Sequence, residues 1–161
     1  MAELPTVGFI GAGRVAGTLA PALAAAGYRV AAVSSRTQAS AERVAALVQE
    51  AAVSDAQGVA DAANLVFVTT SDGAVQAVAG ELRWRHGQVV VHCSGVLTLE
   101  PLAAAKAQGA ATGSWHPFQT FGGEGTSTSL EGVTFGIEAD AGEPSGLASL
   151  PAERSPNAGS A

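Results

Sequence analysis

Short, continuous apolar runs alternate along the chain with longer Ala-rich segments. The runs Thr6–Ile10, Arg29–Val33, Leu65–Thr69, Gln88–His92 and Ala110–Trp115 read as strands, with a weaker one at Ala52–Val53. Between them, Arg14–Ala26 (closed by Gly27), Ser40–Gln49, Gly73–Leu82 and Leu99–Gln108 read as helices. Val133–Glu138 is expected to add a last strand. Val89, Val90 and Val91 are contiguous rather than alternating, as in a parallel strand covered on both faces. The rhythm predicts an α/β fold: a doubly wound, mainly parallel sheet with helices on both faces. One local rule is broken. Pro21 falls inside the first helix, removes a backbone N–H and predicts a kink or an early stop there.

The pattern holds over residues 1–140, read as one domain. Residues 141–161 are rich in Gly, Ser, Pro and Ala without periodicity and are expected to be disordered or loosely packed. Aromatic residues are only 5% of the 161, so the core must rest mainly on Ala, Val and Leu. The net charge of −6 argues against nucleic acid or an anionic membrane as partner. It leaves open phosphate binding by backbone N–H groups, which needs no net charge. The single cysteine, Cys93, rules out an internal disulfide and suits a reducing cytoplasm. Val15–Tyr28 is uncharged but too short to span a bilayer, and Met-Ala-Glu-Leu-Pro lacks the positive start of a signal peptide. We read that stretch as a buried helix.

The first chemical signal is Gly11-Ala12-Gly13-Arg14-Val15-Ala16, a G-x-G-x-x-A pattern between a strand and a helix. Gly11 suits a tight turn. Gly13 lets backbone approach a pyrophosphate, and Ala16 keeps the helix close to the sheet, with Gly17 extending that smooth face. The pyrophosphate would rest on the helix N-terminus. The second strand ends in Val33-Ser34-Ser35-Arg36-Thr37, with no carboxylate for a ribose 2′-OH. Ser34, Ser35 and Arg36 stand where a 2′-phosphate would lie, which favours NADP over NAD. A solvated loop with a capping serine is the plainer reading of the same residues.

Ligands of open α/β sheets bind outside the carboxyl ends of the strands. Those ends read Thr69-Thr70-Ser71-Asp72, His92-Cys93-Ser94-Gly95 and Trp115-His116-Pro117-Phe118-Gln119-Thr120, so polar residues gather at one edge. Thr70, Ser71 and Asp72 are also good helix caps. Ser94 is either a cap or a group facing nicotinamide or substrate, with Gly95 allowing close approach. His116, directed by Pro117, is either a turn histidine or a proton donor to substrate. No metal is expected: His92 and Cys93 point to opposite faces, and there is no other cysteine or His-x-x-x-His pair.

GFIGAGRVAGTLAPALAAAGY, VAAVSSR, LVFVTTSD, VVVHCSG and GSWHPFQTF, in that order, resemble the Rossmann-like family that carries a C-terminal DUF2520 domain. The resemblance covers about residues 5 to 140 and implies an NADP-dependent oxidoreductase. It implies cofactor contacts at Gly11, Ala12, Gly13, Arg14, Val15, Ser35, Arg36, Thr69 and Thr70, and an active-site lining from Ser94, Gly95, His116 and Gln119. It also implies a small-molecule substrate and a homodimer. The family's helical C-terminal domain is not legible after Asp140, which leaves a non-catalytic NADP(H)-binding module as an alternative and self-association as an expectation. A prephenate-dehydrogenase-like enzyme fits the His-Pro pair but fits VSSR and HCSG less well. S-adenosylmethionine as the ligand is disfavoured by the missing carboxylate.

Overall fold

The computed structural model describes residues 4–49, 51–117 and 135–139. Seven strands form one sheet: β1 (Val7–Ile10), β2 (Val30–Ser34), β3 (Ala52–Val53), β4 (Leu65–Val68), β5 (Val89–His92), β6 (Ala111–Pro117) and β7 (Phe135–Ala139). Their order is β3-β2-β1-β4-β5-β6-β7. Adjacent strands from β3 to β6 pair in parallel, and β7 joins β6 antiparallel. The chain winds outward from β1 in both directions, so the strand order reverses between β1 and β4. Of the expected strand Val133–Glu138, residues 135–138 lie in β7, which runs on to Ala139; Val133 and Thr134 lie outside the described residues, as do Gln119 and the 141–161 segment.

Among the described residues, five helices cover the sheet: α1 (Arg14–Ala25), α2 (Gln38–Ala45), α3 (Ala56–Ala62), α4 (Val75–Glu81) and α5 (Ala103–Ala107). The last two each follow a 3-10 turn, Asp72–Ala74 and Glu100–Leu102. Helix α1 does not stop at Pro21 but continues to Ala25. Its interior turns bury Leu19, Ala20 and Leu23, and that apolar packing outweighs one lost backbone bond. Helix α3 was not expected. Asp55 starts it by accepting the Gly58 N–H at 2.7 Å.

Two apolar layers flank the sheet. One joins Phe9, Leu19, Leu23, Val33, Phe67, Val91 and Trp115. Phe9 stacks on Phe67 at 5.2 Å, and Phe67 meets Trp115 at 5.8 Å, so three of the few aromatics form its centre. The other joins Ile10, Val59, Val66, Val68, Val90 and Leu102. There α3 approaches β1 so closely that a Cβ on Gly8 would lie 2.6 Å from Val59. Among the described residues, no helix is long and apolar enough to cross a membrane.

Candidate functional site

The turn after β1 is built around Gly11. Its φ of +106° lies in the region that disfavours a side chain. A Cβ here would also meet the Thr69 carbonyl carbon at 2.6 Å and the Thr70 nitrogen at 2.8 Å. The loops after β1 and β4 are therefore in backbone contact. Thr69 locks them: its hydroxyl donates to the Gly11 carbonyl at 2.8 Å, and its N–H donates to the Ile10 carbonyl at 2.8 Å. On the other side, the Gly11 N–H donates to the Ser34 carbonyl at 2.8 Å, tying the turn to the end of β2.

Gly13 is different. It is exposed, has an ordinary extended backbone and would place a Cβ in open space, with no atom within 4 Å. It is the N-cap of α1 and offers no side-chain acceptor, and no acidic residue stands in the first turn. The N–H groups opening α1 thus face outward without a side-chain cap. Helices α2 and α3, by contrast, are capped by Thr37 and Asp55. Ala16 is fully buried, as close helix–sheet packing requires. Gly17 meets no atom within 4 Å, so internal packing does not explain its small size.

A cleft of about 510 Å³ opens at this edge. Its floor is Ile10, Gly11, Ala12 and Gly13, and one wall is Thr69, Thr70, Ser71, Ala74 and Val78. The far end is Ser34, Ser35, Arg36, Ser40, Asp55 and Ala56. Ser34 is buried and Arg36 exposed. Of the expected cofactor residues, the structure brings Gly11, Ala12, Gly13, Ser34, Ser35, Arg36, Thr69 and Thr70 into one cleft. Arg14 and Val15 begin α1 beside it without lining it. Ser71, at the start of the next turn, makes no side-chain cap bond, so capping does not account for it.

The cleft contains residues that the sequence did not single out. Ser40 accepts the Thr37 hydroxyl at 2.8 Å and an Arg43 N–H at 3.2 Å, which draws a second guanidinium toward the Arg36 end. The signal was a Ser and an Arg one turn apart on a helix following Ser-Arg-Thr. Asp55 caps, and Ala56 begins, the unforeseen helix α3. The Asp55 carboxylate is held by the Gly58 N–H.

Ser94 and Gly95 lie outside this cleft lining, at the end of β5 on the same sheet edge. The Ser94 hydroxyl accepts the N–H groups of Val96 and Leu97, both at 3.2 Å, and shapes the loop there. Fully buried His92 holds the same loop through both ring nitrogens. Cys93 packs against the aromatic layer, and burial pushes its thiol up to about 12. His116 lies on β6, opposite Gly136 of β7. Among the described residues, no three His, Cys, Asp or Glu side chains converge as metal ligands.

Residues 2–117 match the model of the Rossmann-like domain family. No curated protein is detectably similar. Among solved structures, a candidate NADP oxidoreductase from Bacteroides fragilis is 29% identical, with a TM-score of 0.73 over 88% of this chain and 54% of that one. An imine reductase from Pseudomonas sp. is 28% identical, with a TM-score of 0.60 over 73% of this chain and 42% of that one. A 3-hydroxyisobutyrate dehydrogenase from Mycobacterium tuberculosis, at 18% identity and a TM-score of 0.69 over 86% of this chain and 48% of that one, shares the fold. The chain spans about half the length of these proteins.

Proposed function

Because the chain belongs to the Rossmann-like domain family, we propose that it holds NADP across its glycine turn. In this reading it is the nucleotide-binding half of a cytoplasmic oxidoreductase acting on a small carbonyl or imine. The observation that carries the reading is the contrast between two glycines. Gly11 is closed in by its own chain, whereas Gly13 opens onto a cleft beneath an uncapped helix N-terminus. That is the space and polarity a pyrophosphate needs. The names of the B. fragilis and Pseudomonas relatives support the reaction class.

Backbone N–H groups at Gly13 and the start of α1 bind the pyrophosphate. Ser34, Ser35 and Arg36 receive the 2′-phosphate, Arg36 through its planar fork. Thr69 holds the glycine turn, and Thr70 lines the path between the cofactor's two halves. Ser94, Gly95 and His116 serve the reacting end, where Ser94 faces the nicotinamide and His116 polarises or protonates the substrate. The nicotinamide supplies or accepts hydride, and the protein orients it.

The test is a titration with NADPH and with NADH, followed by nicotinamide fluorescence, beside Arg36→Ala. NADPH should bind at least tenfold tighter, a difference of about 1.4 kcal/mol, and Arg36→Ala should abolish the preference. Equal affinities, or no binding by a folded chain, would overturn the assignment.

A further inference from the structure

The loop after β5 carries a buried polar side chain that the cofactor reading does not use. His92 is fully buried, and both ring nitrogens are engaged by the loop itself. Nδ1 lies 3.1 Å from the Ser94 N–H, and Nε2 lies 2.8 Å from the Thr98 carbonyl. These partners dictate the tautomer. A backbone N–H can only donate, so Nδ1 is the acceptor; a carbonyl can only accept, so Nε2 carries the proton. One neutral imidazole thus clamps both ends of the segment 94–98.

Within that clamp, the Ser94 oxygen accepts two N–H groups, from Val96 and Leu97, each at 3.2 Å. A hydroxyl oxygen has two lone pairs and one O–H. Both lone pairs are used, and no described residue accepts the proton. Ser94 can therefore act on a ligand only as a donor. It cannot serve as a base or as a nucleophile with an available lone pair.

The place of this donor follows from the strand order. The cleft at Ser34–Ser40 and Asp55 lies on the β2–β3 side of the reversal point between β1 and β4. A dinucleotide seated across that point extends its other half over the ends of β4 and β5. Ser94 is at the end of β5. The nicotinamide carboxamide offers a carbonyl oxygen, the kind of acceptor that a donor-only hydroxyl requires.

We propose that His92 is a positioning residue that fixes Ser94 as a one-way hydrogen-bond donor to the nicotinamide carboxamide oxygen. The inference rests on the cofactor reading above. Its test compares the binding of NADP⁺ and of 2′-phospho-ADP-ribose, the same nucleotide without the nicotinamide ring, by calorimetry. Ser94→Ala should weaken NADP⁺ about three- to tenfold and leave the ringless nucleotide unchanged. His92→Gln, which lacks an acceptor at the Nδ1 position, should reproduce that loss. His92→Asn, whose side-chain oxygen can replace Nδ1, should recover most of the affinity. In the Ser94→Ala background, His92→Gln should have no further effect on NADP⁺.

Three results would overturn the proposal: no loss in Ser94→Ala, equal loss for both nucleotides, or an undiminished His92→Gln effect without Ser94. Failure of the wild-type chain to bind either nucleotide would instead remove the cofactor reading itself. Circular dichroism and melting of each variant separate these outcomes from misfolding, and the Asn–Gln comparison stands without a fully apolar replacement.

Discussion

At the scale of single residues, neighbouring glycines in one motif have opposite jobs. Gly11→Ala must fit a Cβ at a φ of +106°, 2.6 Å from the Thr69 backbone. It should cost about 3 kcal/mol or more. Gly13→Ala meets nothing within 4 Å and should cost about 1 kcal/mol or less, the difference between Gly and Ala as an N-cap. Urea denaturation of the two variants checks the contrast.

Cys93 gives a second residue-scale expectation. Burial holds its thiol near 12 against an ordinary 9.0. At pH 8 it should react with a thiol reagent far more slowly in the native protein than after unfolding. The linkage has a definite sign. Between pH 9 and 12 the unfolded chain loses this proton while the folded chain keeps it, so Cys93 lowers stability as pH rises through that window. A urea midpoint at pH 10 that falls less in Cys93→Ala than in wild type would show the effect.

At the scale of elements, apolar periodicity made most strands legible, because a strand covered on both faces must be apolar throughout. β5 shows this in Val89, Val90 and Val91. Helix starts were less legible. The 3-10 turns ahead of α4 and α5 resemble helix in sequence, since both geometries place side chains at nearly the same spacing. Helix α3 escaped notice because it has only seven residues, includes Gly58 and buries only Val59 and Ala60. Its clearest signal was Asp55, whose cap bond is three-dimensional.

Pro21 makes the point about local rules in reverse. Its cost is real but local, while burial of Leu19 and Leu23 belongs to the whole helix. Pro21→Ala restores an N–H for the Gly17 carbonyl and should stabilise the protein by about 2 kcal/mol, after allowing for the more flexible unfolded chain. An unchanged or lowered denaturation midpoint would show that the ring itself packs favourably there.

At the scale of the molecule, the strand order turns a linear list of polar segments into a site. Ser34–Arg36 and Thr69–Ser71 are far apart in sequence, yet they flank Gly11 because β2 and β4 both pair with β1. Their common location was legible, since a parallel sheet puts every carboxyl end at one edge. The part played by Ser40, Arg43 and Asp55 was not, because it depends on how α2 and α3 turn over that edge. The hydrogen-bond clamp of His92 on the next loop was equally hidden, since a histidine at a strand end does not reveal which backbone groups it meets.

The central claim is that the open space at Gly13, above the N-terminus of α1, seats the cofactor's pyrophosphate. The most direct measurement is NADPH affinity of Gly13→Val beside wild type, with melting curves for both. The account predicts that Gly13→Val stays folded, because its branched side chain enters empty space, and that NADPH affinity falls at least tenfold because that space is the ligand's. A folded Gly13→Val that binds NADPH as tightly as wild type would contradict it.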